Sequence, residues 1–295
     1  ELIKAGPATA LQTVDPTTAV SSSGLDVIFP VLHGPYGEDG TVQGLLELAN
    51  VAYVGAGVLG SAVGMDKAVM KQLFAAHGLP QVKYVVTIRR DWERDGAGVT
   101  ARVARELGYP VFVKPANLGS SVGISKARNA QELGDAVRLA GEVDREIVIE
   151  AGVPNAREIE VAVLGNDDPD ASVAGEVIPS REFYDYEAKY LDDASKVIIP
   201  APISESEMET VRRLAIAAFR AVDGAGMSRV DFLMDGGSKA LYLNEVNTIP
   251  GFTTISMYPQ MWEATGLPYT GLISRLISLA MERHAEKQQL RTSIT

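Results

Sequence analysis

The sequence predicts an α/β protein, and three observations carry that expectation. Apolar runs of strand length alternate with helix-length segments through about the first eighty residues of the chain. The 295 residues are 46% hydrophobic with a mean hydropathy of +0.05, which suits a protein with a sizeable core. A hairpin signal at Asp235-Gly236-Gly237-Ser238 gives the C-terminal half α+β character.

Taken in order, residues 1–24 carry little periodicity and end in Ser21-Ser22-Ser23-Gly24, which reads as a surface segment. Leu25–Leu32 is almost continuously apolar, the pattern of a buried strand. A helix over Thr41–Ala49 and a strand over Val51–Val54 follow. Ser61–His77 reads as one helix, stopped by Gly78 and Pro80. Val82–Ile88 is strand-like, Thr100–Leu107 helical, and Val111–Lys114 a strand running into a polar glycine loop. Asn129 with Glu132, and Ser204 with Glu207, are capping pairs for helices reaching Ala140 and about Val222. Glu146–Glu150 and Ile159–Leu164 read as strands, and Arg229–Met234 pairs with Leu241–Val246 in the hairpin. Pro268–Glu286 closes the fold as an amphipathic helix.

Composition excludes several function classes. A net charge of −11, from 27 basic and 38 acidic residues, disfavours a nucleic-acid platform, which needs a basic face. No apolar run has the length of a membrane span and no basic-then-apolar leader opens the chain, so no membrane partner and a cytoplasmic location are expected. Without cysteine there is no disulfide, thiolate nucleophile or thiolate metal site. The three histidines are too scattered for a multi-histidine zinc centre. The chemistry must rest on carboxylates, hydroxyls, lysines and backbone.

Two glycine loops compete as phosphate sites. Gly55-Ala56-Gly57-Val58-Leu59-Gly60 has the dinucleotide string between a strand and a helix. The acidic residue expected about twenty positions later is missing, and glycines that permit close packing are the better account. The second loop runs from Lys114 through Gly119, Ser120 and Ser121 to Gly123. A lysine ending a hydrophobic strand is expensive to bury unless an anion meets it, and the small residues beyond can wrap phosphate oxygens. The alternative is a hairpin whose lysine reaches water.

In the last hairpin, period two puts Arg229 and Asp231 on one face, and Glu245 and Asn247 on one face of the return strand. Asp231 and Glu245 are equidistant from Ser238, so they face each other across the ladder. Two carboxylates at about 4 Å repel by roughly 4 kcal/mol at an effective dielectric near 20. A shared proton, an arginine or a divalent cation must offset this. With Asn247 the set is all oxygen and suits Mg²⁺, while pairing with Arg229 is the structural alternative.

These residues resemble those of the D-alanine–D-alanine ligases of the ATP-grasp superfamily. The resemblance rests on His33-Gly34-Pro35-Tyr36-Gly37-Glu38-Asp39-Gly40, Met65-Asp66-Lys67, the Lys114–Gly123 loop, Phe183-Tyr184-Asp185-Tyr186-Glu187-Ala188-Lys189-Tyr190 and Asn244-Glu245-Val246-Asn247-Thr248-Ile249-Pro250-Gly251. The five strings fall in the family's order between about residues 25 and 280.

The resemblance implies an ATP-grasp fold in three parts. Residues 1–64 would be a partial Rossmann-like domain, 65–154 the central domain and 155–295 the C-terminal catalytic domain. It implies ATP held by Lys67, Lys114, Ser120, Ser121, Glu150, Val153, Glu158, Lys189 and Asn244. Asp231, Glu245 and Asn247 would ligate Mg²⁺, with two ions expected and Mn²⁺ able to substitute. His33, Glu38, Ser256 and Met257 would contact D-alanine, and Ser120, Tyr190, Arg229 and Gly251 would be catalytic. The Phe183–Tyr190 string would be a lid excluding water from a reactive phosphate.

The implied reaction joins two D-alanines through a D-alanyl phosphate for peptidoglycan synthesis, in an enzyme that is usually a homodimer. One departure is plain: the family's opening strand and glutamate-bearing loop have no match before Leu25, and the first strand and loop are expected to be missing from residues 1–64. D-Ala–D-lactate or D-Ala–D-Ser ligation, a Rossmann-type dinucleotide-binding protein and an inactive ATP-binding scaffold are the alternatives.

Overall fold

Three sheets organise the computed structural model, which describes residues 26–119, 123–178 and 196–291. The first is a parallel pair, β1 (Val27–Ile28) and β2 (Ala52–Tyr53), joined through α1 (Thr41–Leu48). The apolar run at Leu25–Leu32 contributes only two ladder residues. Pro30 has no N–H to donate, and Val31 and Leu32 donate locally to Phe29 and Pro30 carbonyls instead.

The expected single helix over Ser61–His77 is two, α2 (Val58–Met65) and α3 (Lys67–Ala76). Asp66 separates them at φ −83° and ψ 101°, and its carboxylate accepts the N–H groups of Ala68 and Val69, each at 3.0 Å. An aspartate that caps the second helix ends the first. The dinucleotide-like glycines serve packing: a Cβ on Gly60 would lie 2.3 Å from the Asp223 carbonyl oxygen, and Gly55 has φ +101°.

The second sheet is antiparallel, with strand order β3-β6-β4-β5. Its strands are β3 (Tyr84–Ile88), β4 (Val111–Pro115), β5 (Ser125–Ala127) and β6 (Glu146–Ala151). Val85, Val111, Val113, Ile147 and Ile149 pack one face with Val103 of α4 (Arg89–Glu106) and Leu133 and Val137 of α5 (Ala130–Val143). Alternation sends Tyr84, Phe112, Lys114, Val148 and Glu150 to the opposite face, towards α3. Helix α4 starts well before the expected Thr100, with a kink at Asp95 whose carboxylate accepts the Gly98 N–H.

The third sheet is also antiparallel, with strand order β11-β10-β7-β8-β9. It comprises β7 (Arg157–Gly165), β8 (Asp170–Ile178), β9 (Lys196–Ile198), β10 (Gly226–Met234) and β11 (Leu241–Asn247). Ile159, Val161, Val163, Val230 and Phe232 face Val211, Ala215 and Phe219 of α6 (Glu205–Ala221). On the other face, Ala162, Leu164 and Met227 pack with Tyr258 and Trp262 of α7 (Met257–Ala264) and Leu272 and Leu276 of α8 (Tyr269–Gln289). Glu158, Glu160, Arg229 and Asp231 continue that second face beyond the apolar cluster.

Candidate active site

Lys114 and Asn244 bring the two larger sheets together. The Lys114 Nζ on β4 donates to the Asn244 Oδ1 on β11 at 3.1 Å. Asn244 is the extra residue of a β-bulge, because Asp231 pairs with Glu245 whereas Phe232 pairs with Leu243. The bulge aims a side chain out of the regular ladder towards the facing sheet.

Behind Lys114 lies a buried charge cluster. Glu150 on β6 forms ion pairs of 2.5 Å with both Lys114 and Lys71 of α3. Burial pushes the Glu150 carboxyl up, but Lys114 and Lys71 overcome this and hold it down at about 2. Burial disfavours charge on Lys114 as well, yet Glu150, Glu245 and Glu158 raise its pKa above the usual lysine value. Lys67, one turn before Lys71, donates to the Leu118 carbonyl at 2.6 Å and so tethers the start of the glycine loop.

The hairpin carries the second half of the site. The register pairs Asp231 with Glu245 and Arg229 with Asn247, as the sequence spacing predicts. Arg229 forks onto Asp231 with two 2.7 Å hydrogen bonds and pairs with Glu160 at 3.1 Å. The Asn247 Nδ2 donates to Asp231 at 3.0 Å, leaving the amide oxygen for another partner. Arg229 lies against Asp231 and Glu160, and these carboxylates outweigh its burial and keep it charged. Among the described residues no three His, Cys, Asp or Glu side chains converge as a metal cluster. The donor set is two carboxylates and an amide, and its all-oxygen chemistry fits a hard divalent cation that takes its other ligands from substrate phosphates and water.

The loop ahead of α1 approaches the same place. The His33 Nδ1 donates to the Ile249 carbonyl at 3.0 Å, and the Gly34 N–H donates to Glu38 at 2.6 Å. Burial raises the Glu38 pKa, opposed by the Gly34 N–H, His33, a backbone hydrogen bond at Ile249 and Arg229. His33 and Glu38 therefore meet the segment that leads from β11 to Gly251. A Cβ on Gly251 would sit 3.0 Å from the Ser256 Oγ. That Oγ accepts the Thr253 N–H at 3.0 Å. Met257 begins α7 and packs partly into the apolar cluster under the third sheet.

Val153 lies in the turn between β6 and β7, where the Gly152 N–H donates to the Pro110 carbonyl at 3.0 Å. Glu158, on β7, acts on Lys114 electrostatically. Ser120, Ser121, Lys189, Tyr190 and the Phe183–Tyr190 string lie outside the described residues. Two contributors escaped the sequence reading. Glu160 shares a strand face with Glu158, a signal present in the alternation Glu158-Ile159-Glu160. Lys71 follows Lys67 by four residues and so shares its helical face.

Residues 73–278 match the D-ala D-ala ligase C-terminus and residues 5–56 the D-ala D-ala ligase N-terminus. The stretch before Leu25, expected to be a plain surface segment, thus falls largely within the family's N-terminal region. The chain is 59% identical over 265 residues to the D-alanine–D-alanine ligase of Heliobacterium modesticaldum, spanning 90% of this chain and 72% of that relative. The corresponding ligase of Bacillus cytotoxicus is 52% identical over 296 residues, spanning 98% and 81%. Among solved structures, the D-alanine–D-alanine ligase from Coxiella burnetii superposes with a TM-score of 0.80 at 42% identity, covering 90% of this chain and 70% of that one. VanG D-Ala:D-Ser ligase from Enterococcus faecalis gives a TM-score of 0.79 at 38% identity, covering 87% and 73%. The fold is the expected ATP-grasp arrangement. Matched at both its N- and C-terminal parts, the chain belongs to the D-alanine–D-alanine ligase family.

Proposed function

We propose that this chain joins two D-alanines into D-alanyl-D-alanine, a peptidoglycan precursor, in a reaction driven by ATP. The observation that carries this reading is the meeting of Lys114 with Asn244 beside the Asp231–Glu245 rung. A buried cation there faces oxygen ligands of opposite charge, the requirement of a phosphoryl-transfer site.

The carboxylate of the first D-alanine attacks the γ-phosphorus of ATP, giving D-alanyl phosphate and ADP. Lys114 and Arg229 meet the charge that grows on the phosphoryl oxygens. The amine of the second D-alanine then attacks the activated carbonyl, and Arg229 with the Gly251 N–H holds the oxyanion until phosphate leaves. Asp231, Glu245 and Asn247 would hold divalent cations, Mg²⁺ in two positions with Mn²⁺ as a substitute in this proposal, and the bound metal would add neutralisation of phosphate charge. No protein nucleophile is needed, so the lack of cysteine is no obstacle.

Lys67, Ser120, Ser121, Glu150, Val153, Glu158, Lys189 and Asn244 complete the nucleotide site in this proposal. His33, Glu38, Ser256 and Met257 line the amino-acid sites in this proposal, with Ser120 and Tyr190 as catalytic residues. The work divides over residues 1–64, 65–154 and 155–295, in a cytoplasmic homodimer that needs neither nucleic acid nor membrane. No helix among the described residues is long and apolar enough to cross a bilayer.

Glu245→Gln tests the metal site. Loss of one carboxylate is expected to lower Mg²⁺-dependent turnover at least about a hundredfold, with the circular dichroism spectrum unchanged. Unchanged turnover removes the site. Competition between D-alanine, D-serine and D-lactate separates the dipeptide reaction from the D-Ala–D-Ser and depsipeptide alternatives.

A further inference from the structure

Lys71 is the most deeply buried cation of the described residues that none of the assigned roles uses: its side chain is 1% exposed. Its Nζ lies 2.5 Å from the Glu150 Oε1 and 5.4 Å from the centre of the Tyr84 ring. The other Glu150 oxygen, Oε2, pairs with Lys114 at the same distance. Tyr84 and Phe112 flank Glu150 on the neighbouring strands, so water has little access to the cluster. The Gln81 side chain donates to the Lys71 carbonyl at 2.8 Å and holds this turn of α3 in place.

Desolvating a lysine costs several kcal/mol, and an apolar side chain would join α3 to the sheet without that cost. A charge at this position therefore calls for a reason beyond packing. Lys71 and Lys114 share the single Glu150 carboxylate, while Glu245 and Glu158 act on Lys114 from beyond this trio. Without Lys71, Glu150 would have Lys114 as its only ion-pair partner here. A buried one-to-one pair is tight, and Lys114 would be neutralised by its neighbour instead of by an incoming anion. With Lys71 present, Glu150 divides its oxygens, and Lys114 can turn towards a ligand without leaving an uncompensated carboxylate.

We propose that Lys71 is a positioning residue for nucleotide binding: it holds the Glu150 carboxylate so that the Lys114 cation remains available to a nucleotide phosphate. This rests on the reading of the Lys114–Asn244 cleft as the ATP site. Lys71 itself touches no substrate and acts through Glu150.

The test compares Lys71→Met, Lys71→Arg and Glu150→Gln with Lys71→Met/Glu150→Gln. Equilibrium ATP–Mg²⁺ binding is measured by calorimetry, alongside KM for ATP, KM for D-alanine and kcat. Lys71→Met is expected to weaken ATP binding and raise KM for ATP about tenfold or more, with KM for D-alanine unchanged and partial recovery in Lys71→Arg. A folded Lys71→Met variant with unchanged ATP affinity overturns the proposal, since it assigns Lys71 to packing alone.

If Lys71→Met does not fold, the double variant is compared with Glu150→Gln, both lacking the carboxylate that would capture Lys114. The two should bind ATP within about threefold of each other, because the effect of Lys71 passes through Glu150. A further tenfold loss in the double variant contradicts that route. Failure of the wild-type protein to bind ATP is a different result, and it rejects the nucleotide cleft itself.

Discussion

Glu150 is a carboxylate whose ionisation is worth more to the folded state than to the unfolded one. Its pKa falls from 4.5 to about 2 because Lys114 and Lys71 outweigh the cost of burial. A depressed carboxylate pKa contributes stability that is present above the unfolded value and disappears as pH falls through the folded one. The contribution is therefore complete above about pH 4.5 and fades towards pH 2. Urea midpoints for wild type and Glu150→Gln should differ widely at pH 7, begin to converge below about pH 4.5 and close only towards pH 2, whereas a constant gap removes this ionisation from the acid response. At this scale the sequence was informative where spacing was strict. Arg229, Asp231, Glu245 and Asn247 come together because the two strands of one hairpin put them on one face, with the bulge at Asn244 setting the register that pairs Asp231 with Glu245. Lys71 was not legible, since its role depends on a helix meeting a distant strand, and a lysine on an amphipathic helix ordinarily points to water.

Departures from the expected elements have local causes. Asp66 splits one apolar stretch into α2 and α3 because its carboxylate satisfies two N–H groups that a continuous helix would have paired internally. The capping pair at Ser204 and Glu207, by contrast, forms as expected, with the Ser204 side chain accepting from the Glu207 N–H and Glu207 reaching back. Strands β5, β8 and β9 and helix α7 were not anticipated. Two of those strands have only three residues, and Asp170–Ile178 mixes small and acidic residues without a clean period. Of the Gly55–Gly60 string, Gly60 is the glycine that close packing demands, and Gly55 takes a left-handed φ. Gly60→Ala would press a methyl group onto the Asp223 and Val222 carbonyls, at 2.3 and 3.1 Å. The expected cost is about 1–3 kcal/mol, seen as a lower urea midpoint. No change in midpoint would show that the backbone there yields freely.

The residues of the proposed site come from separate parts of the chain. Glu38 and His33 precede α1, Lys67 and Lys71 lie on α3, Lys114 and Glu150 lie on the second sheet, and Arg229 through Gly251 come from the third sheet and the loop after it. The chain's charge of −11 conceals this, because the buried lysines Lys67, Lys71 and Lys114 lie in the cleft proposed for the nucleotide. Motif order along the sequence was enough to suggest the family. Contacts between sheets, such as Lys114 with Asn244 across 130 residues, required the folded chain. The most direct measurement of the proposed activity supplies ATP and Mg²⁺ with D-alanine as the only amino acid, then follows phosphate release and identifies the product by mass. The account predicts one phosphate released for each D-alanyl-D-alanine formed, with no release when D-alanine is omitted. Phosphate release indifferent to D-alanine, or none at all, would contradict it.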